Sequence, residues 1–165
     1  MPIPTAATAE ETQAFGAFLG LQGARWCEVH RSGLLIGLSG DLGAGKTTLV
    51  QGLVAALPGG SSGMATSPTY ALVHHYPTQP PVTHLDLYRL GSSEALDSIG
   101  YRELSAGPGL TVVEWIDQIP DAVPPVFIEI HLAVTRSDVR EFRVRAHGPA
   151  LAALGQILES WNGGG

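Results

Sequence analysis

The chain has 165 residues, of which 44% are hydrophobic and 15% charged, and its formal net charge at pH 7 is −6. This length predicts a single domain over residues 1–165, with frayed ends at 1–7 and 162–165. The negative charge argues against a free-standing binder of DNA or RNA, because such proteins neutralise phosphates with Lys and Arg. We therefore expect any RNA to be held by a partner protein.

The number of cysteines and the composition of the N-terminal residues indicate the cellular compartment of the protein. Cys27 is the only thiol, so an intramolecular disulfide and a multi-cysteine zinc site are excluded, and a reducing compartment is expected. Residues 1–18 contain neither the basic nor the apolar region of a signal peptide, and no apolar run reaches the ~18 residues of a membrane span. These features predict a soluble, cytoplasmic protein without a membrane partner.

The first elements in chain order are predicted to be a helix, a buried strand and a second helix. A capping-box pattern begins at Thr8 and precedes apolar residues at helical spacing, which predicts a helix over about 9–19, ended by the glycines that follow. The continuous apolar run 34–39 predicts a strand buried on both faces. The apolar stripe of 46–57 predicts the second helix.

The remainder of the chain shows an α/β pattern of strands and short helices. Segment 77–81 is rich in turn formers, so we expect the strands on either side of it to pair as a hairpin. The expected strands cover about residues 70–76, 82–88, 110–115, 126–132 and 139–146, and the expected helices about 93–99 and 149–158.

A glycine-rich segment joins the first strand to the second helix. Residues 40–47 read GDLGAGKT and match the pattern G-x-x-x-x-G-K-[ST], in which backbone N–H groups at a helix N-terminus surround a phosphate. Lys46 can then reach the β and γ oxygens, and the Thr47 hydroxyl is placed to bind Mg²⁺. The predicted nucleotide-binding residues of this segment are Asp41, Gly43, Ala44, Gly45, Lys46, Thr47 and Thr48.

Lys46 is the only lysine of the chain, beside eight arginines. It stands where phosphate chemistry requires an ammonium group. Guanine-selective proteins with this loop usually read the base with an N-K-x-D segment, which needs a second lysine, so we expect ATP as the nucleotide. Residues 97–100 match the short D-x-x-G pattern of GTPases, but they are expected at a helix end and are interpreted as structural.

Two acidic residues end predicted strands and are candidates for metal binding and catalysis. Glu114 follows the apolar strand 110–113, as in a Walker B element, so we expect it to hold Mg²⁺ directly or through water. Asp86 is then left to orient the attacking water, and Asp86 and Lys46 are the predicted catalytic residues. The alternative for each acid is a solvated carboxylate at a strand end.

Four segments of the chain, taken together, resemble the TsaE (YjeE) family of small bacterial P-loop ATPases: residues 40–48, 67–70 (SPTY), 84–90 (HLDLYRL) and 113–115 (VEW). The resemblance runs from about residue 12 to 148. It implies an ATPase that acts with TsaB and TsaD in making threonylcarbamoyladenosine next to the anticodon of certain tRNAs. It also implies an α/β P-loop core with a mixed, partly antiparallel sheet flanked by helices.

The resemblance also assigns roles to three residues outside the loop. Thr69 would sense the γ-phosphate from a switch segment over 67–70, Trp115 would lie beside the nucleotide, and Arg140 would approach it from the start of a late strand. The alternative for Trp115 is a place in the apolar core.

Some charged and histidine residues have structural explanations. Arg143 and Arg145 alternate with apolar residues, which is typical of a half-solvated strand, with a contact to tRNA or a partner as the alternative. His74 and His75 point to opposite faces of one strand and His84 is alone, so no histidine zinc site is predicted.

The expected function is that of an ATP- and Mg²⁺-binding, slowly hydrolysing switch acting on a TsaB–TsaD-like complex. It would reach tRNA only indirectly, through that complex. A small-molecule kinase shares the loop but normally closes an arginine-bearing lid, whereas the arginines here are dispersed. A binding module that has lost hydrolysis is a third possibility.

Overall fold

The structure is a computed structural model that describes residues 2–61, 63–65 and 72–163. Its strands are β1 (Thr5–Ala6), β2 (Leu34–Ser39), β3 (Val73–Tyr76), β4 (Val82–Asp86), β5 (Leu110–Glu114), β6 (Phe127–Val134) and β7 (Arg140–His147). Its helices are α1 (Ala9–His30), α2 (Lys46–Ala56), α3 (Ser93–Ser98), α4 (Tyr101–Ser105) and α5 (Ala152–Glu159), with 3₁₀ turns at Ile116–Gln118, Pro120–Ala122 and Pro149–Leu151.

The strands form one mixed sheet in the order β1-β7-β6-β2-β5-β4-β3. β2 is parallel to both β5 and β6, and β4 is parallel to β5. β3 pairs antiparallel with β4, as the predicted hairpin requires, and β7 pairs antiparallel with β6. The predicted α/β fold with a mixed, partly antiparallel sheet is therefore confirmed.

Apolar residues cover both faces of the sheet. On β2, Leu34, Ile36 and Leu38 face a large core shared with α1, α2 and α5, whereas Leu35 belongs to a smaller core that includes residues of α3 and α4. All six β2 residues are buried, as predicted for this run. β2 is therefore a buried central strand of the sheet, and the glycine-rich loop begins directly after it.

Helix α1 is longer than predicted. Its start is confirmed, since the Thr8 side chain accepts a hydrogen bond from the Glu11 N–H at 3.1 Å. The prediction that it ends near residue 19 is wrong, because the helix continues through Gly20 and Gly23 to His30. A Cβ on Gly20 would lie 3.0 Å from Leu53 of α2, so these glycines allow close packing, and that packing outweighs their poor helix propensity.

Other boundaries also differ from the predictions. Thr5 and Ala6, predicted to be frayed, pair with β7. Helix α4 was not predicted, because five residues are too few to show helical periodicity. The predicted helix 149–158 begins with a 3₁₀ turn, and α5 proper starts at Ala152.

Two predicted strands end earlier than expected, at Asp86 and Glu114, so that both acids are the last residues of their strands. The start of the strand predicted over 70–76 lies partly outside the described residues. Residues 97–100 lie at the end of α3, as expected. Among the described helices, none combines the length and apolarity needed to cross a membrane.

Candidate functional site

The glycine-rich loop leads from the end of β2 into the first turn of α2. Gly43 and Gly45 have φ values of 82° and 108°, in the left-handed region that glycine adopts without strain. Gly45 is the N-cap of α2. No side chain of the described residues caps the helix, and its first turn contains no acidic residue. The N–H groups at this helix start are therefore left for an anion.

Lys46 lies under the loop and is only 5% exposed. Its ammonium donates hydrogen bonds to the carbonyl oxygens of Gly40 at 2.6 Å and Asp41 at 3.0 Å. Desolvation by burial lowers the pKa of Lys46, and the charges of Glu114 and Asp86 oppose that shift. The arrangement is a buried cation that backbone oxygens and nearby acids keep in place.

Trp115 contacts the same ammonium from the other side. The Lys46 Nζ lies 4.0 Å from the centroid of the Trp115 ring, and this ring also packs against Tyr88 at 4.8 Å between centroids. Trp115 has φ of 61°, which is unusual for a bulky residue, and its N–H donates to the carbonyl of Leu38 at the end of β2. The Trp115 ring thus lines the depression around Lys46, and it also packs against the smaller core that includes Leu35.

Asp86 and Glu114 lie side by side at the ends of the parallel strands β4 and β5. Both are buried. Asp86 Oδ1 accepts a hydrogen bond from the Tyr88 N–H at 2.9 Å. Burial raises the pKa of Asp86, the nearby Glu114 charge adds to the shift, and the Tyr88 N–H hydrogen bond and the Lys46 charge oppose it. A carboxylate with a raised pKa is better suited to accept a proton.

His84 is not alone, contrary to the sequence prediction. Its Nε2 lies 2.5 Å from Glu114 Oε2, and the imidazole is fully buried. The signal that could have found this contact is the spacing of two between His84 and Asp86, which places both on one face of β4. It was missed because the pairing of β4 with β5 had not been established.

Lys46, Asp86, Glu114 and Trp115 line one cleft of about 500 Å³. Its lining residues are Leu42, Gly43, Gly45, Lys46, Thr47, Thr48, Asp86, Tyr88, Arg89, Glu114 and Trp115. Most of the residues predicted from the sequence therefore share a single depression at the carboxyl ends of β2, β4 and β5, where open α/β sheets bind ligands. Leu42, Tyr88 and Arg89 were not predicted, although Tyr88 and Arg89 belong to the segment 84–90.

Among the described residues, three predicted site residues do not line the cleft. Asp41 contributes its carbonyl to Lys46, and Ala44 is buried beneath the loop. Arg140 starts β7, which is separated from β2 by β6, and its guanidinium donates to the backbone oxygen and Oδ1 of Asp138 at 3.1 and 3.2 Å. Thr69 and the segment 67–70 lie outside the described residues. The roles of Arg140 and Thr69 stay predictions.

The expected half-solvated strand is seen in β7. Arg143 and Arg145 are exposed, while Phe142 between the sheet and α1 is buried. The Arg143 guanidinium donates to Glu141 at 3.3 Å. This geometry agrees with the structural interpretation of both arginines.

The donor groups of the cleft fit Mg²⁺ bound together with a nucleotide. Among the described residues, no group of three or more His, Cys, Asp or Glu side chains could enclose a metal ion. Mg²⁺, however, is usually held by one or two carboxylates together with substrate phosphates and water. Thr47, Asp86 and Glu114 provide a hydroxyl and two carboxylates in one cleft.

A larger cavity, of about 980 Å³, lies at the amino ends of β2, β4 and β5, whereas the cleft lies at their carboxyl ends. It is lined by residues of α1, such as Arg25 and Cys27, and by segments that precede β2, β4 and β5. Burial raises the pKa of the Cys27 thiol to about 11, so this group stays protonated at neutral pH. The larger cavity contains none of the loop, lysine and carboxylate groups described above.

Comparisons with known proteins agree with the geometry. Residues 6–142 match the family model described as "Threonylcarbamoyl adenosine biosynthesis protein TsaE". A protein of Treponema pallidum named tRNA threonylcarbamoyladenosine biosynthesis protein TsaE is 33% identical over 83% of this chain and 95% of its own length. The protein of that name from Streptomyces coelicolor is 34% identical over 76% of this chain and 88% of its own length.

A solved structure shows the same architecture. The crystal structure of Bacillus subtilis YdiB superposes with a TM-score of 0.68 and 29% identity, covering 93% of this chain and 90% of that one. The family match over residues 6–142 therefore includes the loop and both acidic strand ends, and the structural similarity covers most of the chain.

Proposed function

The chain belongs to the TsaE family of threonylcarbamoyladenosine biosynthesis proteins, and we propose that in this pathway it is a slowly hydrolysing, ATP-binding switch. The observation that carries the proposal is the convergence of Lys46, Thr47, Asp86 and Glu114 on one cleft at the N-terminus of α2. A pathway that modifies tRNA also favours a cytoplasmic location.

The triphosphate is proposed to bind at the start of α2. Backbone N–H groups of Gly43 and of residues 45–48 would donate to the phosphate oxygens, whereas the Ala44 N–H donates to the Asp41 carbonyl and closes the loop. The helix dipole favours the negative charge. Lys46 would exchange its carbonyl partners for the β and γ oxygens, since a charge-assisted hydrogen bond to phosphate is stronger than one to a neutral carbonyl.

Thr47 and Glu114 are the residues proposed to hold Mg²⁺. When bound, the ion would neutralise charge on the phosphates and polarise the terminal phosphoryl group. Both residues line the cleft beside Lys46, and Glu114 is fixed on β5 by the parallel pairing with β2 and β4.

Asp86 is proposed to orient the attacking water. Its carboxylate would accept a hydrogen bond from that water and take up its proton as the water oxygen forms a bond to the γ-phosphorus. The bond from that phosphorus to the β–γ bridging oxygen would break, with ADP as the leaving group. The Tyr88 N–H holds one carboxylate oxygen, Oδ1, which leaves Oδ2 for the water.

The partner complex is proposed to contain TsaB-like and TsaD-like proteins. Leu42 is 78% exposed and Tyr88 is 49% exposed, and both lie on the rim of the cleft. A partner covering these apolar side chains would contact the nucleotide site itself, so its docking would respond to the bound nucleotide. Because the chain has a net charge of −6, we propose that it contacts tRNA only indirectly, through the complex.

Hydrolysis is tested with Asp86→Asn, because the amide keeps the shape but cannot accept the proton of the water. We expect phosphate release to slow by about 100-fold or more, with ATP affinity changed only a few-fold. Asp97→Asn, a change at an exposed acid of α3, is the matched control and should release phosphate at the wild-type rate. Equal rates for wild type and Asp86→Asn would instead favour a binding module in which Asp86 has no catalytic part.

A small-molecule kinase is the second candidate, because it would use the same phosphate site. Arg89 is the one arginine among the lining residues of the cleft, and it is exposed on the rim. Incubation with γ-labelled ATP and a metabolite extract separates the two functions. Label in inorganic phosphate supports the switch, and label in a metabolite contradicts it.

A further inference from the structure

A buried histidine contacts the carboxylate that is proposed to bind Mg²⁺. His84 on β4 is 0% exposed and Glu114 on β5 is 3% exposed, and a distance of 2.5 Å separates Nε2 from Oε2. A buried carboxylate is costly unless it is hydrogen-bonded. Within the described residues, the side chain that forms a hydrogen bond with Glu114 is His84.

The other side of the imidazole faces a tyrosine. The Tyr76 hydroxyl lies 3.5 Å from His84 Nδ1, and His74 Nδ1 lies 3.2 Å from the same hydroxyl. An ionised Glu114 can only accept, so Nε2 carries a proton, and in the neutral ring Nδ1 is then the acceptor. A hydroxyl can donate to such a nitrogen, so the contact with Tyr76 is compatible with that tautomer.

The contact uses only one of the two carboxylate oxygens. Glu114 lines the cleft together with Thr47 and Lys46 while its Oε2 is held by His84. The remaining oxygen, Oε1, is thus left for a ligand in the cleft, and rotation of the carboxylate would break a short hydrogen bond.

We infer that His84 is a positioning residue, whose Nε2–H fixes the Glu114 carboxylate so that Oε1 faces the Mg²⁺ that accompanies ATP. The inference rests on the proposed function. Groups that orient a metal ligand in this way typically change metal affinity by about 10- to 100-fold when removed.

Two amide variants separate positioning from simple packing. Gln can place its side-chain nitrogen close to the position of Nε2, whereas Asn is one bond shorter and leaves the nitrogen near the position of Nδ1. His84→Gln and His84→Asn therefore differ in the donor available to Glu114 while sharing the same functional group.

The measurement is calorimetric ATP binding over a series of Mg²⁺ concentrations and in EDTA. We expect His84→Gln to need no more than about threefold more Mg²⁺ than wild type for half-maximal enhancement, and His84→Asn to need about 10- to 100-fold more. ATP affinity in EDTA should be the same for all three proteins. Unchanged Mg²⁺ dependence in His84→Asn, or an equal loss of affinity in EDTA, overturns the inference.

Imidazole ¹⁵N NMR of the wild-type protein keeps the test open if His84→Asn does not fold. We expect Nε2 of His84 to carry a proton and its resonance to shift when Mg²⁺ is added to the ATP complex. A deprotonated Nε2, or a resonance that does not shift when Mg²⁺ is added, contradicts the inference. A wild-type protein that binds ATP without any response to Mg²⁺ contradicts the proposed metal site instead.

Discussion

The interior between α1, α2 and the sheet and the cleft at the ends of β4 and β5 are both buried, but they contain opposite kinds of side chains. The interior is built from fully buried apolar residues such as Phe15, Leu49 and Leu53. The cleft buries Lys46 and Glu114, which are costly to remove from water. Burial in the first region stabilises the fold, whereas burial in the second lowers stability and is best explained by binding and catalysis.

The largest expected effect is on the apolar region, from Phe15→Ala. Phe15 is stacked on Phe142 at 4.3 Å between ring centroids and contacts Trp161 edge-on at 5.2 Å. Removing it leaves a cavity, so we expect the free energy of unfolding to fall by about 3–5 kcal/mol in urea denaturation. Phe18→Ala, at a half-buried site on the same helix, should cause a smaller loss. Equal losses from the two variants would show that this interior is not the main stabilising region.

A second change tests the close approach of α1 and α2. A Cβ on Gly52 would lie 2.0 Å from the backbone oxygen of Gln13, so Gly52→Ala has to move a helix. We expect it to lower the free energy of unfolding by about 1–3 kcal/mol. Gly63→Ala, where nothing lies within 4 Å, is the control and should leave stability nearly unchanged. A neutral Gly52→Ala would show that the two helices separate easily.

The smallest expected effect is a gain in stability, and it comes from a substitution in the cleft. Because burial raises the pKa of Asp86, its ionisation destabilises the folded state as pH rises through that pKa. Below the ordinary value of 3.8 the group is protonated in both states and this penalty is absent. Asp86→Asn should therefore raise Tm by a few degrees at pH 7, with a gain that shrinks toward pH 4.

Thermal unfolding from pH 4 to pH 8 measures this difference, with Asp97→Asn as the exposed control. A lower Tm for Asp86→Asn at pH 7 would show that the carboxylate stabilises the fold, as an ordinary structural ion pair would. The statement that burial of charged groups in the cleft lowers stability would then be wrong.

The sequence was sufficient where local chemistry decides the structure. The run 34–39, the loop 40–47 and the acids at 86 and 114 each have a short-range pattern that fixes their element, and the structure places them accordingly. The predicted end of α1 was wrong because packing of Gly20 against α2 and of Gly23 against β2 and β5 outweighs the poor helix propensity of both glycines.

Local sequence patterns could not predict contacts between different strands of the sheet. The His84–Glu114 pair joins residues 30 positions apart, and it depends on the parallel register of β4 and β5. The same is true of Trp115, whose ring reaches Lys46 because its backbone turns into the left-handed region after Glu114. Such placements need the order of the strands, which no local pattern supplies.

Calorimetric titration of ATP with Mg²⁺ into wild type and Lys46→Ala tests whether the solitary lysine and the loop form a phosphate site. We expect a single saturable site in wild type and a loss of affinity of about 10- to 100-fold in Lys46→Ala, the usual effect of removing a hydrogen bond between charged groups. Arg143→Ala removes an equal charge from an exposed position and should bind as wild type does. Wild-type affinity in Lys46→Ala, or no binding in the wild-type protein, would contradict the phosphate site.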